Sequence, residues 1–220
     1  MIKIKNYDKD KQKIIFFTDM SVGLANAIRR SVLEIPIMAI DEVEIIKNDS
    51  ALYDEILAHR IGLIPIKTGS VKETKFKLVE IGPKMVISEN IKPDTGSESK
   101  LPIVLLDKDQ EIEIVCNVKL GKGIEHIKYS PGLIYYRHSL DNEILDFVNI
   151  NDEGEVSYDE EEILNKKLSE NKIKDIKSVK NLNELEFNIE SWGQIEVKEI
   201  FLKSIETLSD NLDELNKNIK

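Results

Sequence analysis

The sequence predicts an α+β fold, and three observations carry that prediction. Ile112, Ile114, Cys116, Val118 and Leu120 recur at every second position, the period of a half-buried strand. Ala25, Ile28, Val32 and Ile35 recur at intervals of 3, 4 and 3, which is one face of a helix. Near the C-terminus, Val197, Phe201, Ile205, Leu208, Leu212, Leu215 and Ile219 keep a helical period for about six turns.

Taken in order, Ile2–Lys5 and Lys13–Thr18 read as strands joined by a polar turn at Asp8–Lys11. Asp19 or Ser21 can cap the helix that follows, and Pro36, which lacks an N–H, ends it. Met38–Ile46 reads as a strand. A second helix is expected over Ala51–Ile61, capped by Asp49 or Ser50, with His59 and Arg60 in its last turn and Gly62 as its C′ residue. Phe76–Ile81 reads as a strand and residues 88–100 as a mobile loop. After the alternating strand come a strand at Leu133–Arg137 and a hairpin over Phe147–Tyr158 turning at Asp152–Gly154. A charged helix at Glu160–Glu170 and a strand at Leu185–Ile189 follow. The longest helix is expected over Gln194–Asn218, roughly 35 Å.

Composition narrows the function classes. The 220 residues are 41% hydrophobic, enough for a sizeable core, and 33% charged, against about 25% in an average globular chain. A net charge of −10 works against broad adhesion to DNA, RNA or an anionic membrane. No run approaches the ~18 apolar residues of a membrane span. The opening Met-Ile-Lys-Ile-Lys-Asn has no apolar stretch of the secretory type, so the expectation is a cytoplasmic protein. The single cysteine, Cys116, rules out an internal disulfide and any multi-cysteine zinc or iron–sulfur site built from this chain alone.

The residues that could carry chemistry read mostly as structure. Cys116 falls on the apolar side of its strand, where a thiol stays protonated. His59, His126 and His138 lack metal-ligand spacing. Gly121-Lys122-Gly123 lacks the rest of a phosphate loop and reads as a turn. Asn149–Glu160 faintly echoes a calcium loop, but its first and third ligand positions are Asn149 and Asn151 rather than aspartate. The acidic groups Asp41/Glu42/Glu44 and Asp159–Glu162 read as solvated faces. No catalytic constellation emerges. Two features point outward instead. Arg29 and Arg30 lie about 100° apart, flanking the apolar face of their helix, and guanidinium groups suit protein interfaces. The long amphipathic helix either covers its own sheet or packs on a partner helix.

Four stretches in order, within 23–45, 52–66, 121–132 and 187–193, resemble the alpha-type assembly subunits of cellular RNA polymerase. The first is Gly23-Leu-Ala-Asn-Ala-Ile-Arg-Arg30, continuing through Pro36 to Ile40-Asp-Glu-Val-Glu-Ile45. The most specific is Leu52-Tyr-Asp-Glu-Ile-Leu-Ala-His-Arg-Ile-Gly-Leu-Ile-Pro-Ile66, which resembles the archaeal D-type subunits and their eukaryotic relatives. Gly121-Lys-Gly-Ile-Glu-His-Ile-Lys-Tyr-Ser-Pro-Gly132 and Phe187-Asn-Ile-Glu-Ser-Trp-Gly193 complete the set.

The resemblance implies a discontinuous dimerisation domain, about 1–47 plus 184–220, with a mostly-β insertion domain at 48–183. It implies a heterodimer with the small alpha-like subunit L through Ala25, Ile28, Val32, Val197, Phe201, Ile205, Leu208, Leu212 and Leu215. The N and P subunits and the large B-type subunit would complete the assembly, with Arg29, Arg30, His59 and Arg60 near those contacts. Magnesium and catalysis would belong to another subunit, and direct nucleic-acid contact would be slight. Many archaeal D-type subunits carry a ferredoxin-like third subdomain near residues 139–183, and the eukaryotic counterpart carries a zinc loop. This chain has no cysteine in 139–183 and no cysteine cluster in the insertion domain, so the expectation is a reduced, cluster-less form with neither iron–sulfur cluster nor zinc.

Overall fold

The computed structural model describes residues 2–69, 75–96, 100–139, 146–151, 153, 155–166, 168–178 and 184–219. Strands β1 (Lys3–Asp8) and β2 (Lys13–Thr18) lead into helix α1 (Val22–Ser31) and a 3₁₀ turn, Val32–Glu34. Strand β3 (Ile37–Asn48), helix α2 (Asp54–Gly62) and strands β4 (Lys75–Ile81), β5 (Lys84–Ile87), β6 (Pro102–Leu106) and β7 (Glu111–Gly121) follow. Next come β8 (Gly132–His138), β9 (Val148–Ile150), β10 (Val156–Tyr158), α3 (Glu160–Asn165), α4 (Glu170–Ser178) and β11 (Leu185–Ser191). Helix α5 (Val197–Ile219) closes the run. The α+β reading holds. Among the described residues no helix is long and apolar enough to cross a membrane.

Two compact units divide the chain, Met1–Arg30 with Ile134–Ile189, and Ser31–Leu133 with Glu190–Lys220. These cut the chain at other points than residues 47/48 and 183/184. In the first unit the sheet runs β1-β2-β11-β8. Phe16 stacks on Phe187 with ring centroids 5.3 Å apart and planes 2° from parallel. The buried Glu186 carboxylate sits between Lys5 (2.6 Å) and Arg137 (3.0 Å) and also accepts from Asn188 Nδ2 at 3.2 Å. Burial alone would raise its pKa, but the bonds from Lys5, Asn188 and Arg137 win and hold it below the usual range. A second small core gathers Phe147, Val148, Ile163 and Ile176 from the β9–β10 hairpin and helices α3 and α4.

In the second unit β7 is the central strand between β3 and β4, antiparallel to both. Cys116 faces Val43 on one side and Phe76 on the other. The alternating residues Ile112, Ile114, Cys116 and Val118 are buried with Phe76, Leu78 and Leu57 and Ile61 of α2. Burial pushes the Cys116 thiol up to about 12, the inert core cysteine that its strand position predicts.

Several local expectations are corrected. Residues 88–92 are not a mobile loop. Ser88–Asn90 form a 3₁₀ turn, Ile91 is fully buried, and Lys92 exchanges two backbone bonds with Lys77 at 2.6 and 2.7 Å. Strands β5 and β6 were hidden because neither sequence alternates: Met85, Val86 and Ile87 are consecutive apolar residues in β5, and in β6 Ile103 and Val104 are adjacent and both buried. Helix α2 is preceded by Tyr53, which makes no side-chain cap. Asn48, one residue before the expected caps, organises the entry by donating to Leu52 O and Asp54 Oδ1 and accepting from Ser50 N. Gly62 is itself helical, and the helix ends at Leu63. The charged helix expected at 160–170 ends at Asn165, and a separate helix begins at Glu170. Of the turn expected at 152–154, Asp152 and Gly154 lie outside the described residues. Asn151 closes the hairpin by accepting from Glu153 N and Glu155 N through Oδ1.

Candidate functional site

The long helix begins where a tight turn releases it. Gly193 takes φ +103°, a conformation that L side chains rarely adopt. Ser191 Oγ accepts from Gly193 N at 3.0 Å and donates to Ile195 O at 2.6 Å, so one hydroxyl fixes both sides of the turn. From Val197 the helix runs 23 residues. Its first half is built into the unit: Val197, Ile200 and Ser204 are buried, and Phe201, Thr207, Leu208 and Asn211 are half-buried. Ser204 and Thr207 donate their hydroxyls back to Phe201 O and Lys203 O, which lets polar side chains sit on the inner face. Asn211 Nδ2 donates to Glu34 Oε2 at 2.8 Å, the last tie between helix and the 3₁₀ turn.

Beyond Asn211 every residue through Ile219 is exposed. Leu212, Leu215 and Ile219 continue the same apolar stripe past that point, and Ile205, also exposed, opens on it about one and a half turns earlier. Of the predicted interface residues, Ala25, Ile28, Val32 and Val197 are buried in the chain's own interior. Phe201 and Leu208 are half-buried, and Ile205, Leu212 and Leu215 stand open.

The predicted contact residues separate. Arg29 is half-buried and donates through Nε (3.1 Å) and a terminal nitrogen (2.9 Å) to Asn26 Oδ1, while Arg30 is exposed. His59 lines a cleft of about 390 Å³ with Asp41, Glu42, Leu63, His126 and Lys128. Arg60 turns the other way and donates to Pro102 O at 3.0 Å.

Asp41 is a structural centre, where the sequence pattern predicts a solvated face. The β3–β7 register shifts between Ile40 and Glu42, so Asp41 drops out of the ladder. Its carboxylate then accepts from Lys119 at 2.6 Å, Lys128 at 2.8 Å and the Tyr129 hydroxyl at 2.9 Å. The Lys119 and Lys128 ammonium groups hold it well below the usual carboxylate range. Burial, and then Asp41 beside it, pushes the Tyr129 phenol well above its ordinary value. Gly121 completes the arrangement, because a Cβ there would lie 2.6 Å from the Tyr129 ring. The glycine seen as half of a phosphate-loop echo thus makes room for a tyrosine. Among the described residues, no group of three or more His, Cys, Asp or Glu side chains could hold a metal ion.

Residues 14–212 match the family model described as the RNA polymerase Rpb3/Rpb11 dimerisation domain. The chain is 31% identical over 256 aligned positions to the DNA-directed RNA polymerase subunit Rpo3 of Thermococcus kodakarensis, covering 99% of both. It is 39% identical to the Rpo3 of Methanocaldococcus jannaschii over 67% of this chain and 82% of that one. It is also 39% identical to the Rpo3 of Pyrococcus horikoshii, over 63% of this chain and 60% of that one.

Proposed function

Because this chain belongs to the family of the RNA polymerase Rpb3/Rpb11 dimerisation domain, we propose that it is a non-catalytic assembly component of an archaeal DNA-directed RNA polymerase. It pairs with the small alpha-like subunit L. With the N and P subunits, the pair supports the large B-type subunit. Nucleotidyl transfer and its magnesium belong to another subunit, the complex works in the cytoplasm, and this chain touches little nucleic acid. One observation carries the reading: an apolar stripe runs along α5, is already open at Ile205, and continues beyond Asn211 where every residue through Ile219 is exposed. A soluble chain leaves such a surface open when a partner is meant to cover it.

In this reading the dimerisation domain comprises residues 1–47 and 184–220, and residues 48–183 are the insertion. The compact units divide differently, which is compatible: compactness follows packing within the chain, whereas a dimerisation domain is defined by what meets a partner. The interface would centre on Ile205, Leu212 and Leu215, with Phe201 and Leu208 at its margin, and Arg30 and His59 offer exposed groups to the larger subunits. Light scattering after gel filtration of the chain co-expressed with its cognate small alpha-like subunit tests the proposal. A one-to-one heterodimer supports it. A homodimer indifferent to the small subunit would favour a free-standing homodimeric module of the same fold.

A further inference from the structure

Helix α5 keeps its charges away from the face it leaves open. From Ser204 to Ile219 it carries five charged residues, Glu206, Asp210, Asp213, Glu214 and Lys217. At about 100° per residue, all five fall within one arc of about 100°. The other eleven residues of this stretch are uncharged and spread over about 200°. The apolar stripe needs less than half of that width, because Ile205, Leu208, Leu212, Leu215 and Ile219 span only about 80°. The remainder is polar but bears no charge.

The margins of the stripe say what kind of surface can meet it. The five apolar residues recur at 3, 4, 3 and 4, the a and d positions of a heptad. The positions flanking such a seam are Ser204, Ser209, Asn211, Asn216 and Asn218. In paired helices these positions usually hold Glu or Lys, whose ion pairs across the seam choose the partner. Here every one is Ser or Asn. The unit itself explains two of them: Ser204 is buried and donates to Phe201 O, and Asn211 donates to Glu34 Oε2. Ser209, Asn216 and Asn218 are exposed, and solvation alone would accept Glu or Lys there as readily. A charge at a seam margin loses part of its water when two helices close and must meet an opposite charge to offset that cost. A hydroxyl or amide loses far less. A partner with charged margins would find no counter-charge on this face, whereas a partner with uncharged margins fits it.

We propose that the small alpha-like subunit meets α5 through a helix with an apolar seam and uncharged margins, so that the heterodimer forms independently of salt. The proposal rests on the reading of the chain as an assembly subunit. The match to the dimerisation domain runs to residue 212 and so includes the first part of the open stripe, which supports a dimer partner as its occupant. Partner choice then comes from the shape of the seam, and the charged ridge of Glu206, Asp210 and Asp213 stays in water.

The test is the Kd of the full chain for its cognate small subunit, by titration calorimetry at about 0.1 M and about 1 M KCl, between which the screening length falls from about 10 Å to about 3 Å. The Kd should rise by less than about threefold, or fall; a rise of about tenfold would reveal ion pairs across the seam and overturn the proposal. Ser209→Lys/Asn216→Lys and Ser209→Glu/Asn216→Glu change exposed residues, so both should melt close to the parent. Each should bind about tenfold more weakly, whichever sign it introduces. If either sign binds as well as the parent or better, the partner presents the opposite charge there and the proposal falls. Glu206→Gln/Asp213→Asn, on the charged ridge, should bind like the parent, and weaker binding would put the partner on that ridge instead. Failure of the assembly reading looks different: the parent chain would form no heterodimer at either salt concentration.

Discussion

One helix should respond in two opposite ways to substitution, depending on which half is changed. Leu212 and Leu215 are 56% and 55% exposed in the single chain. Fully burying a leucine contributes about 1.5–3 kcal/mol, so each still has roughly 1–1.5 kcal/mol to gain on meeting a partner. Removing both gains costs about 2–3 kcal/mol of binding, or roughly 30- to 160-fold in Kd. Aspartate adds the cost of desolvating a charge, so Leu212→Asp/Leu215→Asp should weaken heterodimer formation at least hundredfold. The same double variant should barely touch the lone chain. Helix propensity falls by about 0.5 kcal/mol per site, and no buried contact is lost. Val197→Ala is the counterpart. Val197 is fully buried, and deleting two methyl groups there costs about 2–3 kcal/mol including the cavity. For a chain of this size that lowers Tm by about 4–12 °C. Thermal melts of each variant alone, and light scattering with the small subunit, read both effects. A double variant that unfolds the lone chain would show that residues 212–215 are covered by the chain itself. A double variant that binds normally would remove α5 as the partner surface.

Three further outcomes follow from the packing. The folded pKa of Asp41 lies below its unfolded value near 4, so its contribution is present above about pH 4 and is lost as pH falls further. Urea midpoints should drop less between pH 6 and pH 3 for Asp41→Asn than for the parent, and equal drops would refute this role. Cys116 should resist a thiol reagent at pH 8 until the chain unfolds, because its pKa of about 12 and its burial leave no accessible thiolate; stoichiometric labelling of the native chain would contradict that. Gly121→Ala should cost about 1–3 kcal/mol in chemical denaturation, since the Tyr129 ring it would strike is buried and bonded to Asp41. A neutral result would mean that the ring can move aside.

How much of this was legible in the sequence depends on how many partners fix each residue. Strand β7 could be read because one face of it meets a single continuous core, so burial follows its alternation from Ile112 to Val118. Strands β5 and β6 could not, because short strands need only a few anchors: β5 has one buried residue, Val86, and β6 has the adjacent pair Ile103 and Val104 with Leu106. Asp41 illustrates a further limit. Between Ile40 and Glu42 it looks like the other acids of its strand, and only the bulge, set by pairing with β7, turns it toward Lys119, Lys128 and Tyr129. The acid's identity was visible, but the register was not, because register belongs to two strands at once.

Helix α5 sharpens the same point for the candidate site. Its apolar period is uniform from Val197 to Ile219, and nothing in that period distinguishes residues that meet the chain's own interior from those that do not. The break at Asn211 is set by the far side of the contact, where Glu34 of the 3₁₀ turn ends the surface the helix lies on. Periodicity therefore predicts that a face will be covered, and only tertiary structure tells by whom. That is why four of the nine residues expected at the partner interface turn out to be buried within their own chain, while the open ones carry the proposal. It also follows that the buried and open halves of α5 are under different constraints. Substitutions tolerated by the fold after residue 211 should be limited by the partner alone, so a scan of residues 212–219 in the free chain and in the heterodimer should diverge sharply, whereas one of residues 197–204 should not.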